Sequence, residues 1–210
     1  MRDELIGGHD AVVARNNICR IVRLTALLAA VVPLVSCSVG AGSGGSEPEA
    51  SPTVTGASGI DVQDPKDAGS VESCSLLPAK GAESIGLVPG GRASSSSFGE
   101  DNLDSCAWKN EDGSISSALS VFNDRSLQDY YDNADKYVDF EKMTIAGHPA
   151  VRANENDPMS DGACILFLAS NSGQVVQATA IVPTSRISDV DPCGLAAKSL
   201  DAAVPSWPSV

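Results

Sequence analysis

Four cysteines, Cys74, Cys106, Cys164 and Cys193, restrict what this chain can fold into more than any other feature. Their gaps are tens of residues long. Metal-ligand pairs usually stand two to four residues apart, and the one histidine in this part of the chain is His148. Zinc is therefore not expected, nor any other metal or cofactor. In an oxidising compartment an even set of cysteines closes disulfides. Three pairings are open and spacing alone does not choose among them. The favoured one is Cys74–Cys106 with Cys164–Cys193, each tying a helix to a neighbouring strand. A closed loop of about 30 residues is worth on the order of 3–4 kcal/mol in the chain-entropy model.

The beginning of the chain argues for that compartment. Arg15, Arg20 and Arg23 precede an apolar run from Leu24 to Val35, broken only by Thr25 and Pro33. Basic residues, a short apolar stretch and then small residues form the signal-peptide pattern. The run is shorter than the roughly 20 residues needed to cross about 30 Å of hydrocarbon. Leu34-Val35-Ser36-Cys37 resembles the lipobox of bacterial lipoproteins. That resemblance implies removal of residues 1–36 and a diacylglycerol thioether, with palmitate-type acyl chains, on Cys37. The alternative is an ordinary secreted cysteine; its place at the end of the apolar run favours the lipid. His9 and Cys19 fall in the discarded leader. The expected location is the extracytoplasmic face of the cell membrane, reached through the lipid on Cys37.

Of 14 basic and 27 acidic residues, the leader takes four and three. The remainder holds 10 and 24, a formal charge of −14. Such a surface repels nucleic acid and anionic head groups, so no nucleic-acid partner is expected. Residues 37–70 follow as the lipidated cysteine and a Gly, Ser, Pro and acidic linker, read as a flexible tether because it has too little apolar surface to offset ordering. A globular domain is expected over 71–210.

Within that domain, Cys74–Leu87 has apolar residues at helical spacing, with Ser73 or Ser75 as cap and Pro78 near the first turn. The Gly90–Ser97 stretch reads as a loop. Cys106–Lys109 and Ser114–Asn123 flank Glu111-Asp112-Gly113, a hairpin signal. Ser126 can cap a helix to about Tyr137 that carries Tyr130, Tyr131 and Tyr137, aromatics for the core or its rim. Met143–Ala146 and Ala150–Ala153 are short strands around a Gly147-His148-Pro149 turn, and Asn154–Gly162 is a polar turn. Ala163–Ala169 and Gln174–Val182 are strands joined at Asn171-Ser172-Gly173. A last helix starts at Asp189 or Asp191 and runs to about Val204, with Pro192 in its first turn. This order predicts a single α+β domain: an antiparallel sheet with helices packed mainly on one face, braced by two disulfides.

Taken in order, Cys74-Ser-Leu-Leu77, Cys106-Ala-Trp108, Gly147-His148-Pro149-Ala150-Val151, Cys164 opening a strand and Asp191-Pro192-Cys193 make a recognisable set. It resembles the actinobacterial lipoprotein family catalogued as domain of unknown function 3558, over about residues 71–205. The resemblance implies an envelope lipoprotein of unassigned activity, and so brings no catalytic residue with it.

No reaction chemistry stands out. Any Ser–His or Cys–His catalysis must use His148, and a lone histidine in a turn is ordinarily a solvated polar residue. A Gly-x-Ser-x-Gly elbow is absent, and Ser94–Ser97 reads as loop filler. Glu155, Asp157 and Asp161 could offer oxygen ligands to calcium, but the alternating calcium-loop pattern is not matched, so a solvated turn is the simpler reading. Glu100, Asp101 and Asp104 read the same way. Trp108 is expected in the core against a disulfide. Trp207, past the last helix, either packs back or marks a contact surface; with His148 it is the weak candidate for ligand or partner contact. The expected function is a non-enzymatic module of the cell envelope that binds a protein or a small apolar ligand. The alternatives are an envelope hydrolase using His148 or a carboxylate pair, and a structural or surface-exposed envelope protein. An enclosed pocket would point to a ligand, a flat apolar patch to a protein.

Overall fold

Strands with apolar residues on both faces need cover on both sides, and Ala163–Asn171 with its neighbours shows how this chain supplies it. The computed structural model describes residues 60–98 and 101–210. The leader, Cys37, the linker up to residue 59 and Glu100 lie outside the described residues. The strands are β1 (Arg92–Phe98), β2 (Asp101–Lys109), β3 (Ser116–Asn123), β4 (Asp139–Ile145), β5 (His148–Asn154), β6 (Ala163–Asn171) and β7 (Gln174–Ile181). They form one antiparallel sheet in the order β1-β2-β3-β7-β6-β5-β4. The α+β class with an antiparallel sheet is as expected.

On one face the central row reads Leu119–Ala178–Leu166, large-small-large across β3, β7 and β6. The small residue leaves room for the last helix, α4 (Pro192–Ala203), which buries Leu195, Ala196, Ser199, Leu200 and Ala203. Asp191 caps it, its Oδ1 accepting from the Cys193 N–H at 2.9 Å, and Pro192 fills the first helical position where no donor is needed. Ser199 Oγ, buried, donates to Ser117 Oγ at 2.8 Å and so joins α4 to β3. Cys164–Cys193 links β6 to α4, and Cys74–Cys106 links a 3-10 turn at Ser73–Ser75 to β2. Both favoured pairings are present.

The other face is covered in part by α2 (Gln128–Asp132) and the turn after it, with Leu127 and Tyr130 packed among Phe122, Val151, Phe167 and Val175. Ser126 Oγ accepts from the Gln128 N–H while the Asp129 carboxylate accepts from the Ser126 N–H, a reciprocal cap. The helix expected to reach Tyr137 breaks at Asn133 (φ −114°, ψ 23°) and resumes as a 3-10 turn over Ala134–Lys136.

Several boundaries differ from expectation. The helix expected over Cys74–Leu87 is only α1 (Ala79–Ser84), because Pro78 (φ −61°, ψ 151°) stands before its first turn in extended geometry. Gly90–Ser97, expected to be a loop, lies mostly in edge strand β1, whose Ala93 pairs with Cys106. Asn154–Gly162 contains a short helix, α3 (Pro158–Asp161), capped by Asp157. The expected domain start at Val71 is too late. Ala68 is fully buried, the Lys66 N–H donates to the Ser170 carbonyl at 2.7 Å, and Ile60 and Val62 pack on the second core.

The hairpin between β4 and β5 turns one residue earlier than predicted. Ala146 (φ 48°) and Gly147 (φ 82°) both lie in the left-handed region, and Ile145 pairs with His148 across them. This is the two-residue geometry that suits the twist of paired strands. His148 and Pro149 are thereby in β5, not in the turn.

Candidate functional site

Alternation along β6 turns Ala163, Ile165 and Phe167 away from the α4 core. Together with Ala153 of β5 they contribute the apolar lining of a cavity of about 340 Å³. Tyr130 and Tyr137, supplied by α2 and the turn after it, line it too. Tyr130 stacks on Phe167 with ring centroids 4.0 Å apart, and Tyr137 stacks on Phe140 at 6.1 Å. Tyr131 meets the same Phe140 edge-on at 6.3 Å and carries Lys142 Nζ 3.8 Å above its ring. The aromatic cluster therefore holds the α2 segment against the sheet, and the cavity opens beside it.

The cavity carries charge of both signs. Arg125 lies with its guanidinium 4.2 Å over the Phe122 ring, and its Nη1 donates to Tyr130 Oη at 3.3 Å. Glu155, Asn156 and Asp161 supply the acidic and amide part of the lining. Burial pushes the Tyr130 phenol above its ordinary pKa, and the Arg125 hydrogen bond works in the opposite direction. Tyr137 is also raised, first by burial and then by the nearby Glu155 carboxylate, with Arg125 again opposing. The Tyr137 phenol thus lies within electrostatic reach of both a guanidinium and a carboxylate. Asn154 shapes this end of the sheet: its Oδ1 accepts from the Ile165 N–H at 2.7 Å, and its Nδ2 donates to Asp139 Oδ2 at 2.9 Å.

The residues singled out by type in the sequence go elsewhere. His148 is only 2% exposed, its Nδ1 3.0 Å from the Ala169 carbonyl, so the expectation of a solvated turn histidine is corrected by the register of the hairpin. Trp207 is 3% exposed and donates from Nε1 to the Leu76 carbonyl at 3.0 Å. It packs back on the core, and neither it nor His148 lines the cavity. Trp108 is 1% exposed as expected, in the same core as Cys106, and a Cβ on Gly91 would collide with both. Asp157, one of the proposed calcium oxygens, is occupied in capping: its carboxylate accepts from the Met159 N–H and the Ser160 hydroxyl. Glu155 and Asp161 of that trio reach the cavity. Arg125, Ile165 and Phe167 were not singled out by sequence reasoning; the unbroken apolar run of β6 was the available signal.

The family model described as "Protein of unknown function (DUF3558)" matches residues 32–206. The chain belongs to this family. The DUF3558 match takes in every described strand and α-helix and all the residues that line the cavity. No curated protein matches the chain.

Proposed function

We propose that this DUF3558 protein is a lipid-anchored, extracytoplasmic binding module with no reaction of its own, and that the cavity beside Tyr130 is its ligand site. The observation carrying this reading is the cavity itself. It is concave, apolar over the larger part of its lining, and holds a few convergent polar groups, the usual makeup of a small-molecule site. Its volume lies at the small end of the roughly 300–1,000 Å³ range of such sites. The anchor is supported by the signal-peptide pattern and by Leu34–Cys37 at the end of its apolar run. Of the groups considered for hydrolysis, His148 has no access to the cavity.

Native mass spectrometry of the full-length chain, extracted from its own envelope into nanodiscs, tests the reading. A small molecule should co-purify, and Ala163→Trp, which fills the cavity, should lose it; Ile165→Trp serves as a second filling variant. Identical bound masses in the wild type and in both folded variants would overturn the assignment of the site.

A further inference from the structure

We propose that the ligand is a single-chain anionic amphiphile, a fatty acid or a lysolipid, whose chain enters the cavity and whose head group stays at the sheet edge by Arg92 and Lys109. This assignment rests on the cavity being the ligand site and names its ligand class. The floor of the cavity continues beyond β6. Ile165 pairs with Thr179, Thr179 with Ala118, Ala118 with Ala107 and Ala107 with Arg92, one row across five strands. A second row runs beside it from Ala163 through Ile181 and Ser116 to Lys109. Residues directly opposite one another share a face of the sheet. Both rows lie on the face away from α4, since Ile165 packs with the second core while Leu166 and Ala178 pack under α4. Between cavity and edge, Thr179, Ala118, Ala107 and Ser116 are only half-buried and Ile181 is 52% exposed, so the strip is open to solvent. Thr179 Oγ1 accepts from Gln177 Nε2 at 2.8 Å, and the strip presents mainly methyl and methylene surface. Four strand spacings of roughly 4.8 Å make it about 19 Å long.

Length, area and charge choose the occupant. Two rows wide, the strip covers on the order of 250 Å², well short of the roughly 800 Å² that each partner buries in a standard protein interface. One extended chain fits it and a protein partner does not. At the far end Arg92 and Lys109 are diagonal neighbours on adjacent strands, about 7–8 Å apart. Both are exposed, and among the described residues neither side chain enters an ion pair or hydrogen bond. Glu111 and Asp112 follow in the turn beyond Lys109, and Asp112 pairs with Arg186 at 3.6 Å. The segment after residue 36 carries a formal charge of −14, but at physiological salt charges are screened within about 8 Å. The two cations therefore dominate their own edge. Exposed ion pairs add little affinity, so apolar contact holds the chain while Arg92 and Lys109 set its sign and direction. A charged head group left in water at the edge avoids the desolvation it would suffer inside the apolar cavity.

Photo-crosslinking on the full-length chain in phosphatidylcholine nanodiscs tests the assignment, with hexadecanoate carrying a diazirine either at the chain end or beside the carboxylate. The chain-end probe should label Ala163, Ile165 and Tyr137, and the carboxylate-end probe should label β1 and β2 around Ala107. Competitors are compared at equal mole fraction of the bilayer. Hexadecanoate should compete at least threefold better than hexadecanol or hexadecylamine. Arg92→Gln/Lys109→Gln should erase that preference and leave competition by the alcohol unchanged, a ratio that a merely structural role would not move. Ile181→Ser, at an exposed position outside the cavity, should weaken competition by hexadecanoate about threefold. Lysophosphatidylglycerol competing better than hexadecanoate selects a phosphate head group, and the reverse selects a carboxylate. Equal competition by amine and acid overturns the anionic head group. Carboxylate-end labelling in the cavity and not on β2 overturns the strip while leaving the cavity as a ligand site. No labelling at either place overturns the amphiphile, and the co-purification experiment then decides the fate of the site separately.

Discussion

Replacing Trp207 by alanine removes the largest side chain contributed by the C-terminal tail, and its cost can be worked from its surroundings. The indole is 3% exposed, shares the core with Leu76, Leu77, Ala203 and Val204, and donates to the Leu76 carbonyl at 3.0 Å. Truncating a buried tryptophan to alanine costs about 3–5 kcal/mol. Trp207→Phe keeps much of the ring but removes the donor, which should cost about 1–3 kcal/mol through the carbonyl it leaves behind. For a domain of this size each kcal/mol lowers Tm by about 2–4 °C. Alanine should therefore lower Tm by about 6–20 °C and phenylalanine by about 2–12 °C. Thermal and urea unfolding of the full-length chain, followed by far-UV circular dichroism, reads both values. A Trp207→Ala variant within about 0.5 kcal/mol of wild type, the range of ordinary surface changes, would refute the packing argument and return Trp207 to the role of a contact residue.

Removing the Cys164–Cys193 bridge as a Cys164→Ala/Cys193→Ala pair should cost about 3–4 kcal/mol from the 29-residue separation, seen as a lower urea midpoint; an unchanged midpoint would count against the bridge as a brace. Ala146→Asn creates an Asn-Gly turn where the backbone already has φ 48° and 82°, and should raise stability by about 0.5–1 kcal/mol in the same assay. The phenols of Tyr130, Tyr131 and Tyr137 titrate above their usual pKa near 10, chiefly through burial, so the folded chain keeps these protons longer than the unfolded chain. Stability from this source is full below about pH 10 and is lost as pH climbs through the raised values, and Tyr130→Phe should show a shallower decline of the urea midpoint over that range. Cys37→Ala should abolish incorporation of a labelled fatty acid and release the chain from the membrane fraction; retained label would overturn the lipid assignment.

Much of the fold was legible because its strongest signals are local. Asp112 and Gly113 announce the β2–β3 turn, and there the Asp112 carboxylate accepts from the Ser114 N–H at 2.8 Å with Gly113 at φ 73°. Asp191-Pro192 announces α4 through capping that needs no tertiary partner. The misread segments depend on partners far along the chain. Ser94–Ser97 lacks apolar alternation, and among the described residues β1 is an edge strand paired with β2 alone. Ala68 is buried in a turn that meets β3 and β7, both far along the chain, and Gln174 Oε1 accepts from the adjoining Gly69 N–H. His148 was misplaced by one residue of register, and a one-residue slip exchanges inside for outside along a whole strand.

The site was harder to read for a reason that follows from the two faces of the sheet. The residue types that attract attention in a sequence are cysteine, tryptophan and histidine. All four disulfide cysteines and both tryptophans pack with the core under α4, and His148 lies across from Ile145 of that same core. They close that face, through disulfides, buried hydrogen bonds and packing. Among the described residues the opposite face is covered by a short helix, an aromatic cluster and Ile60 and Val62, and space remains there between sheet and cover. Its lining is drawn from common residues whose spacing in sequence shows no motif: Arg125 and Tyr130 come from one stretch of chain, and Glu155, Asp161 and Ile165 from another. What could have revealed it is the run Ile165-Leu166-Phe167-Leu168, apolar on both faces of one strand. A strand of that kind in an antiparallel sheet demands a second layer, and the partial fit of that layer over β6 is where the cavity forms.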